Sequence, residues 1–252
     1  MEIVFLGTGG GRINLIKQVR GTGGFRINSK SANIHVDPGP GALIYSIKNG
    51  QDPLSLDAII VTHNHTDHVS DAAVMIEGMT SYSLKKRGIV IGSKKTLEGE
   101  EKGIGNWHQS LVTTYTAQYG DSKHFKTAKG EFGIEIAKMK HDEPTTFGFR
   151  LTMDGRIIGY ITDTEYIESL VELTDCDLLI VNCIKPQSDG YHGHLTSEDV
   201  IKILRTAKPK KCVITHLGLK MLAKGPNEEA DRITKESGIG TIAAKDGMKI
   251  TL

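Results

Sequence analysis

Cysteine, proline and tryptophan are scarce in this 252-residue chain, at three, seven and one. The cysteines, Cys176, Cys183 and Cys212, form no CxxC pair, and an odd count at this length makes no disulfide framework. They are expected as reduced core thiols. No stretch rich in Pro, Gly and Ser divides the sequence, so one domain over residues 1–252 is expected. Also missing are a long apolar run and a basic leader ahead of a cleavage site. That pattern points to a cytoplasmic protein with no membrane segment. Charge of one sign is absent too: 31 basic residues face 30 acidic ones, for a net +1, so the overall field will not grip nucleic acid unaided. With 38% apolar and 24% charged residues, disorder, collagen and coiled coil are excluded as descriptions.

Glycine, at 29, and histidine, at 10, are what the chain does have. The Gly-rich stretch 7–24 reads as a loop. Its Gly7-Thr8-Gly9-Gly10-Gly11-Arg12 puts Arg where a dinucleotide fingerprint needs its third Gly, and no Gly-Lys-Ser/Thr follows, so a nucleotide site is not expected. Period-two apolar runs place strands at 2–6, 24–28, 32–37, 58–62, 88–91, 134–140, 147–152, 156–162, 178–182, 212–215 and 249–252. Helical spacing marks 42–48, 71–82, 166–173, 197–207 and 227–237, while the polar segment 93–130 resists assignment. Strands mixed with helices in both halves predict an α/β fold of two sheets flanked by helices.

The sharpest signal is Thr62-His63-Asn64-His65-Thr66-Asp67-His68-Val69, directly after the apolar strand ending at Val61. Four ligand-type side chains within six positions at a strand's carboxyl end belong to chemistry rather than packing. His63 and His65, two apart, can point the same way in an extended turn. Asp67 and His68 follow as the chain bends into a helix. Imidazole with carboxylate suits zinc or a similar borderline metal.

This HxHxDH pattern resembles the metallo-β-lactamase fold superfamily, and the resemblance spans the whole chain. It implies a four-layer αββα sandwich of two mixed β-sheets flanked by helices. It makes Asp37, in His35-Val36-Asp37-Pro38-Gly39, a support for the metal loop rather than a ligand. Downstream, His141 precedes Asp142-Glu143-Pro144 and Phe147-Gly148-Phe149-Arg150-Leu151, a context similar to the ribonuclease Z and cyclic-phosphodiesterase branch. Asp163 in Ile161-Thr162-Asp163-Thr164 and His216 in Thr215-His216-Leu217-Gly218 match the family's bridging carboxylate and final histidine. The resemblance therefore implies His63, His65 and His141 on one ion, Asp67, His68 and His216 on another, and Asp163 between them. Two Zn²⁺ are the first choice, with Mn²⁺ or Fe²⁺ as alternatives, and a shared hydroxide would carry out hydrolysis.

Gly193-His194-Leu195-Thr196, ahead of the 197–207 helix, looks like a second motif of that branch and assigns His194, with Asp67, to catalysis. His192 is the alternative. Ribonuclease Z carries a long Gly/Pro-rich arm between the motifs around His141 and Asp163, and here only a hairpin's length separates them. A small phosphodiester is therefore preferred to RNA as partner, with Arg12, Arg20 or Arg26 as candidate cations. Lys85-Lys86-Arg87, Lys94-Lys95 and 208–211 read as solvated basic runs. Alternatives on the same centre are a β-lactam, lactone or thioester hydrolase, a tRNA 3′-processing endoribonuclease, and a catalytically silent binding protein. The resemblance also implies a homodimer.

Overall fold

A computed structural model describes residues 1–187 and 193–252. Among them are fourteen strands in two seven-stranded sheets. The strands are β1 (Glu2–Phe5), β2 (Phe25–Asn28), β3 (Asn33–Val36), β4 (Ala58–Val61), β5 (Ile89–Gly92), β6 (Thr113–Thr116) and β7 (Ser122–Lys126). They continue as β8 (Glu131–Lys138), β9 (Phe147–Met153), β10 (Arg156–Ile161), β11 (Leu178–Asn182), β12 (Cys212–Thr215), β13 (Thr241–Ala243) and β14 (Lys249–Thr251). The first sheet runs β14-β1-β2-β3-β4-β5-β6 and the second β13-β12-β11-β10-β9-β8-β7. Both are mixed: β1 to β3 are antiparallel and β3 to β6 parallel, while β7 to β10 are antiparallel and β10 to β13 parallel.

Period-two alternation sorts each strand between two cores. In β4, Ala58 and Ile60 face the space between the sheets, with Phe5, Phe25, Phe149 and Ile180, while Ile59 and Val61 pack on the outer helix Ala72–Met79. In β11, Ile180 is inward, and Leu179 and Val181 meet the helices Ser197–Ala207 and Pro226–Ser237. The expected αββα sandwich is the fold. A capping box, in which Thr196 and Asp199 bond each other's backbone, starts Ser197–Ala207. The β9–β10 hairpin turns on Asp154 and Gly155, both at positive φ, which is the two-residue turn that matches strand twist.

The structure corrects several readings. The 7–24 loop contains a helix, Gly11–Lys17, and the unassigned segment 93–130 holds two short helices, the edge strand β6 of the first sheet and the edge strand β7 of the second. The helix read at 166–173 is a 3₁₀ segment, Glu168–Glu172. The helix Leu219–Lys224 and strand β13 were not anticipated by periodicity. All three cysteines are buried and unpaired, as expected. Among the described residues no helix is long and apolar enough to cross a membrane.

Candidate metal centre

The named residues sit at the carboxyl ends of strands from both sheets. His63, His65, Asp67 and His68 follow β4, His141 follows β8, Asp163 follows β10, and His216 follows β12. Their donor atoms form compact groups: His63, His65, His141 and Asp163 lie within 4.8 Å of one another, and so do Asp67, His68 and His216. A third group joins Asp163, His194 and His216. Every residue assigned to metal from the sequence is thus brought together, and His194 with them. His192 lies outside the described residues.

Ring nitrogens in this cluster face one another. His63 Nε2 is 3.1 Å from His65 Nδ1, which is 3.3 Å from His141 Nε2, and His68 Nε2 is 3.3 Å from His216 Nε2. The edge of a tetrahedron with metal–nitrogen bonds of about 2.0 Å is about 3.3 Å, so these spacings fit donors around a small cation. The outer nitrogens are anchored in the pattern such a role demands. His68 Nδ1 donates to Asp37 Oδ2 at 3.0 Å, His141 Nδ1 to Gly193 O at 2.9 Å, and His63 Nδ1 meets Thr62 Oγ1 at 3.2 Å. Each leaves Nε2 aimed inward. His216 Nδ1 is buried with no hydrogen bond, 3.4 Å from Asp163 Oδ1. A donor set of five imidazoles and two carboxylates, with the orphaned His216 Nδ1 among them, fits divalent metal.

Electrostatics agree. Burial, then the neighbouring His68, holds His63 well below the usual imidazole range. Burial also works against charge on His68, but Asp163, Asp37 and Asp67 outweigh it and push that ring well above the usual imidazole range. Burial disfavours charge on Asp163, yet His216, His194 and His68 hold its carboxyl well below the ordinary range. Burial takes His194 down to about 4 despite the pull of Asp163, whose Oδ2 is 3.6 Å from His194 Nδ1. Buried carboxylates that gather positive charge around themselves suit a cation.

Asp37 plays the supporting part expected of it. Thr62 N and Thr62 Oγ1 donate to its two oxygens at 2.7 and 2.9 Å, and the Tyr160 hydroxyl donates to Oδ2 at 3.0 Å. Tyr160 also reaches Asn182 Oδ1 at 3.3 Å, and Asn182 Nδ2 donates to Asp163 Oδ1 at 2.8 Å. Sequence reading missed Tyr160 and Asn182; their signal is a polar group inside an otherwise apolar strand. Asp37 and His216 both hold left-handed backbone, φ 50° and 56°, strain that clusters at functional sites. Gly10 lies against the His216 ring so closely that a Cβ there would overlap it.

Above the cluster opens a cavity of about 770 Å³ lined by Asp67, His141, Asp163 and His194. Of the candidate cations only Arg12 borders it, joined by Lys185 and Lys220. Arg20 instead bonds Thr8 Oγ1 and Ala244 O, and Arg26 is buried against Asp52 O and Ser55 Oγ. Of the remaining histidines, buried His35 contacts Gly23 O, and His108 contacts Glu77.

Residues 32–217 match the β-lactamase superfamily domain, and the chain belongs to that superfamily of metallo-hydrolases. Among particular relatives, an uncharacterized protein of Methanocaldococcus jannaschii is 36% identical over 100% of this chain and 95% of its own. The probable metallo-hydrolase YhfI of Bacillus subtilis is 27% identical over 78% of this chain and 80% of its own. The YhfI crystal structure superposes with a TM-score of 0.80 over 99% of this chain and 98% of that one, at 21% identity. A ribonuclease Z of Metallosphaera sedula is 23% identical over 86% of this chain and 88% of its own.

Proposed function

We propose that the chain hydrolyses phosphodiesters with two divalent cations. His63, His65 and His141 would hold one and Asp67, His68 and His216 the other, with Asp163 available to both, and the histidine-rich donor set favours zinc. Bound cations supply Lewis acidity, an acidified water and charge neutralisation. The observation that carries the reading is that His194 and three cations, Arg12, Lys185 and Lys220, border the cavity that the cluster opens into. Anionic phosphate needs such a wall; a neutral lactone does not.

The chain's residues divide the remaining work. Arg12, Lys185 and Lys220 attract and orient the phosphate. Asp67, which faces the cavity, accepts a hydrogen bond from the attacking water. His194 is neutral near pH 7 because of its burial, and an adjacent phosphate anion opposes that penalty and draws a proton onto the ring. Water then adds its oxygen to phosphorus and gives up one proton by way of Asp67 to solvent, the bond to the leaving oxygen breaks, and His194 passes its own proton to that oxygen. The products are a phosphomonoester and an alcohol.

An extended RNA is ranked lower. None of the basic runs borders the cavity: Arg87 donates to Leu54 O and Leu56 O, and Lys210 pairs with Asp177 at 2.8 Å. The test is turnover of bis(p-nitrophenyl) phosphate, nitrocefin, a thioester and a precursor tRNA by metal-analysed protein. Phosphodiester turnover supports the proposal; inert phosphodiesters beside a cleaved lactam overturn it.

A further inference from the structure

The helix Gly11–Lys17 is inside out. Asn14 is its buried residue, holding the Arg20 backbone with Nδ2 donating to Arg20 O and Oδ1 accepting from Arg20 N, both at 3.0 Å. Its isoleucines point away from any core: Ile13 is 61% and Ile16 82% exposed. Three apart on one helical face, both border the cavity above the metal centre, as do Ile184 and Leu219. Apolar surface left in water forgoes the main stabilisation available to it, so folding alone gives no account of this face.

The face is held in place relative to the cluster. Gly10 N donates to Leu217 O and Leu217 N to Thr8 O, tying the helix base to the loop that carries His216. Gly218 N donates to Ile184 O, which ties the opposite wall to the same loop. One cavity is therefore lined both by the His/Asp cluster with Arg12, Lys185 and Lys220 and by a fixed aliphatic wall of Ile13, Ile16, Ile184 and Leu219.

We propose that this wall is a subsite for an apolar ester group, so that the substrate is a small phosphodiester carrying one alkyl or aryl alcohol. The inference rests on the phosphodiester reading above. A polar polymer gains nothing by covering Ile13 and Ile16, whereas an apolar ester loses its own exposed surface and theirs together. Hydrolysis is balanced as before: water and diester give monoester and alcohol.

The experiment compares the methyl and hexyl esters of p-nitrophenyl phosphate, which share a leaving group, on the metal-loaded protein. Calorimetry with the uncleavable methylphosphonate and hexylphosphonate runs beside it. For a half-open wall, kcat/KM and phosphonate affinity should each rise on the order of ten-fold from methyl to hexyl. Ile16→Asp should bring both ratios close to one, with Ile13→Asp as the second variant should the first fail to fold. Flat ratios with both esters turned over overturn the subsite and leave the phosphodiester reading standing. Absence of turnover with either ester overturns that reading, and the phosphonate ratios then decide the wall alone. A wild-type dimer that Ile16→Asp converts to monomer, with flat ratios, assigns the face to a second copy and overturns the proposal.

Discussion

The Asp37 carboxylate lies 3.0 Å from His68 Nδ1 and, through the same Oδ2, accepts from the Tyr160 hydroxyl at 3.0 Å. A side chain outside the donor cluster therefore sets the tautomer and aim of a ring inside it. Asp37→Asn swaps one accepting oxygen for an NH₂ that faces donors from every side. We expect divalent-metal affinity to fall about 10–100-fold, measured by equilibrium dialysis with elemental analysis. Tyr160→Phe removes only a donor and leaves Asn182 Oδ1 short of a partner, so a stability loss of about 1–2 kcal/mol is expected by urea denaturation. Unchanged metal affinity in Asp37→Asn would mean that the ring is held by packing alone.

His194 and Asp163 should separate chemistry from metal retention. His194→Ala is expected to lower phosphodiester kcat by about 10²–10⁴-fold with bound metal unchanged. Asp163→Ala should lose metal and activity together. An unaltered rate in His194→Ala removes it from the reaction, and metal loss in that variant makes it a ligand.

Burial drives His35 down to about 3, and its Nε2 sits 2.9 Å from Gly23 O. Its folded value is depressed below the unfolded one near 6.5, so the unfolded chain binds the proton first. Stability from this group is complete above about pH 6.5 and drains away as pH falls toward 3. The wild-type minus His35→Gln difference in unfolding free energy should change by up to about 1.4 kcal/mol per pH unit across that window. A difference independent of pH would contradict a neutral buried His35.

Burial lifts the thiols of Cys176 to about 11 and Cys212 to about 12, and lifts Cys183 further. Thiolate is the reactive form, so the native protein should leave an aromatic disulfide reagent nearly unreacted at pH 8. The unfolded chain should release three equivalents. Rapid labelling of the native state would place at least one thiol at the surface.

The sandwich and the cluster were legible because both rest on strong local signals. Alternating apolar residues mark buried strands such as β4 and β11, and ligands fall immediately after them. The edge strands β6 and β7 are largely exposed, so no apolar period announces them. Gly11–Lys17 escaped because its N-cap is a glycine with no side-chain bond and its isoleucines face outward, the reverse of the pattern that identifies a helix. Lys185 and Lys220 look like any lysine in sequence; only the cavity they border distinguishes them.

The donors are divided between the sheets: His63, His65, Asp67 and His68 leave the first, and His141, Asp163 and His216 the second. Neither half of the chain alone owns a complete set. Ions that engaged both would act as a clasp between the two sheets, recognising the docked state and no partly assembled one. Free metal concentration would then set how firmly the sheets stay docked, by mass action on the folded state alone. Chelation would loosen the seam between the sheets before it disturbed either sheet's own hydrogen-bond ladder.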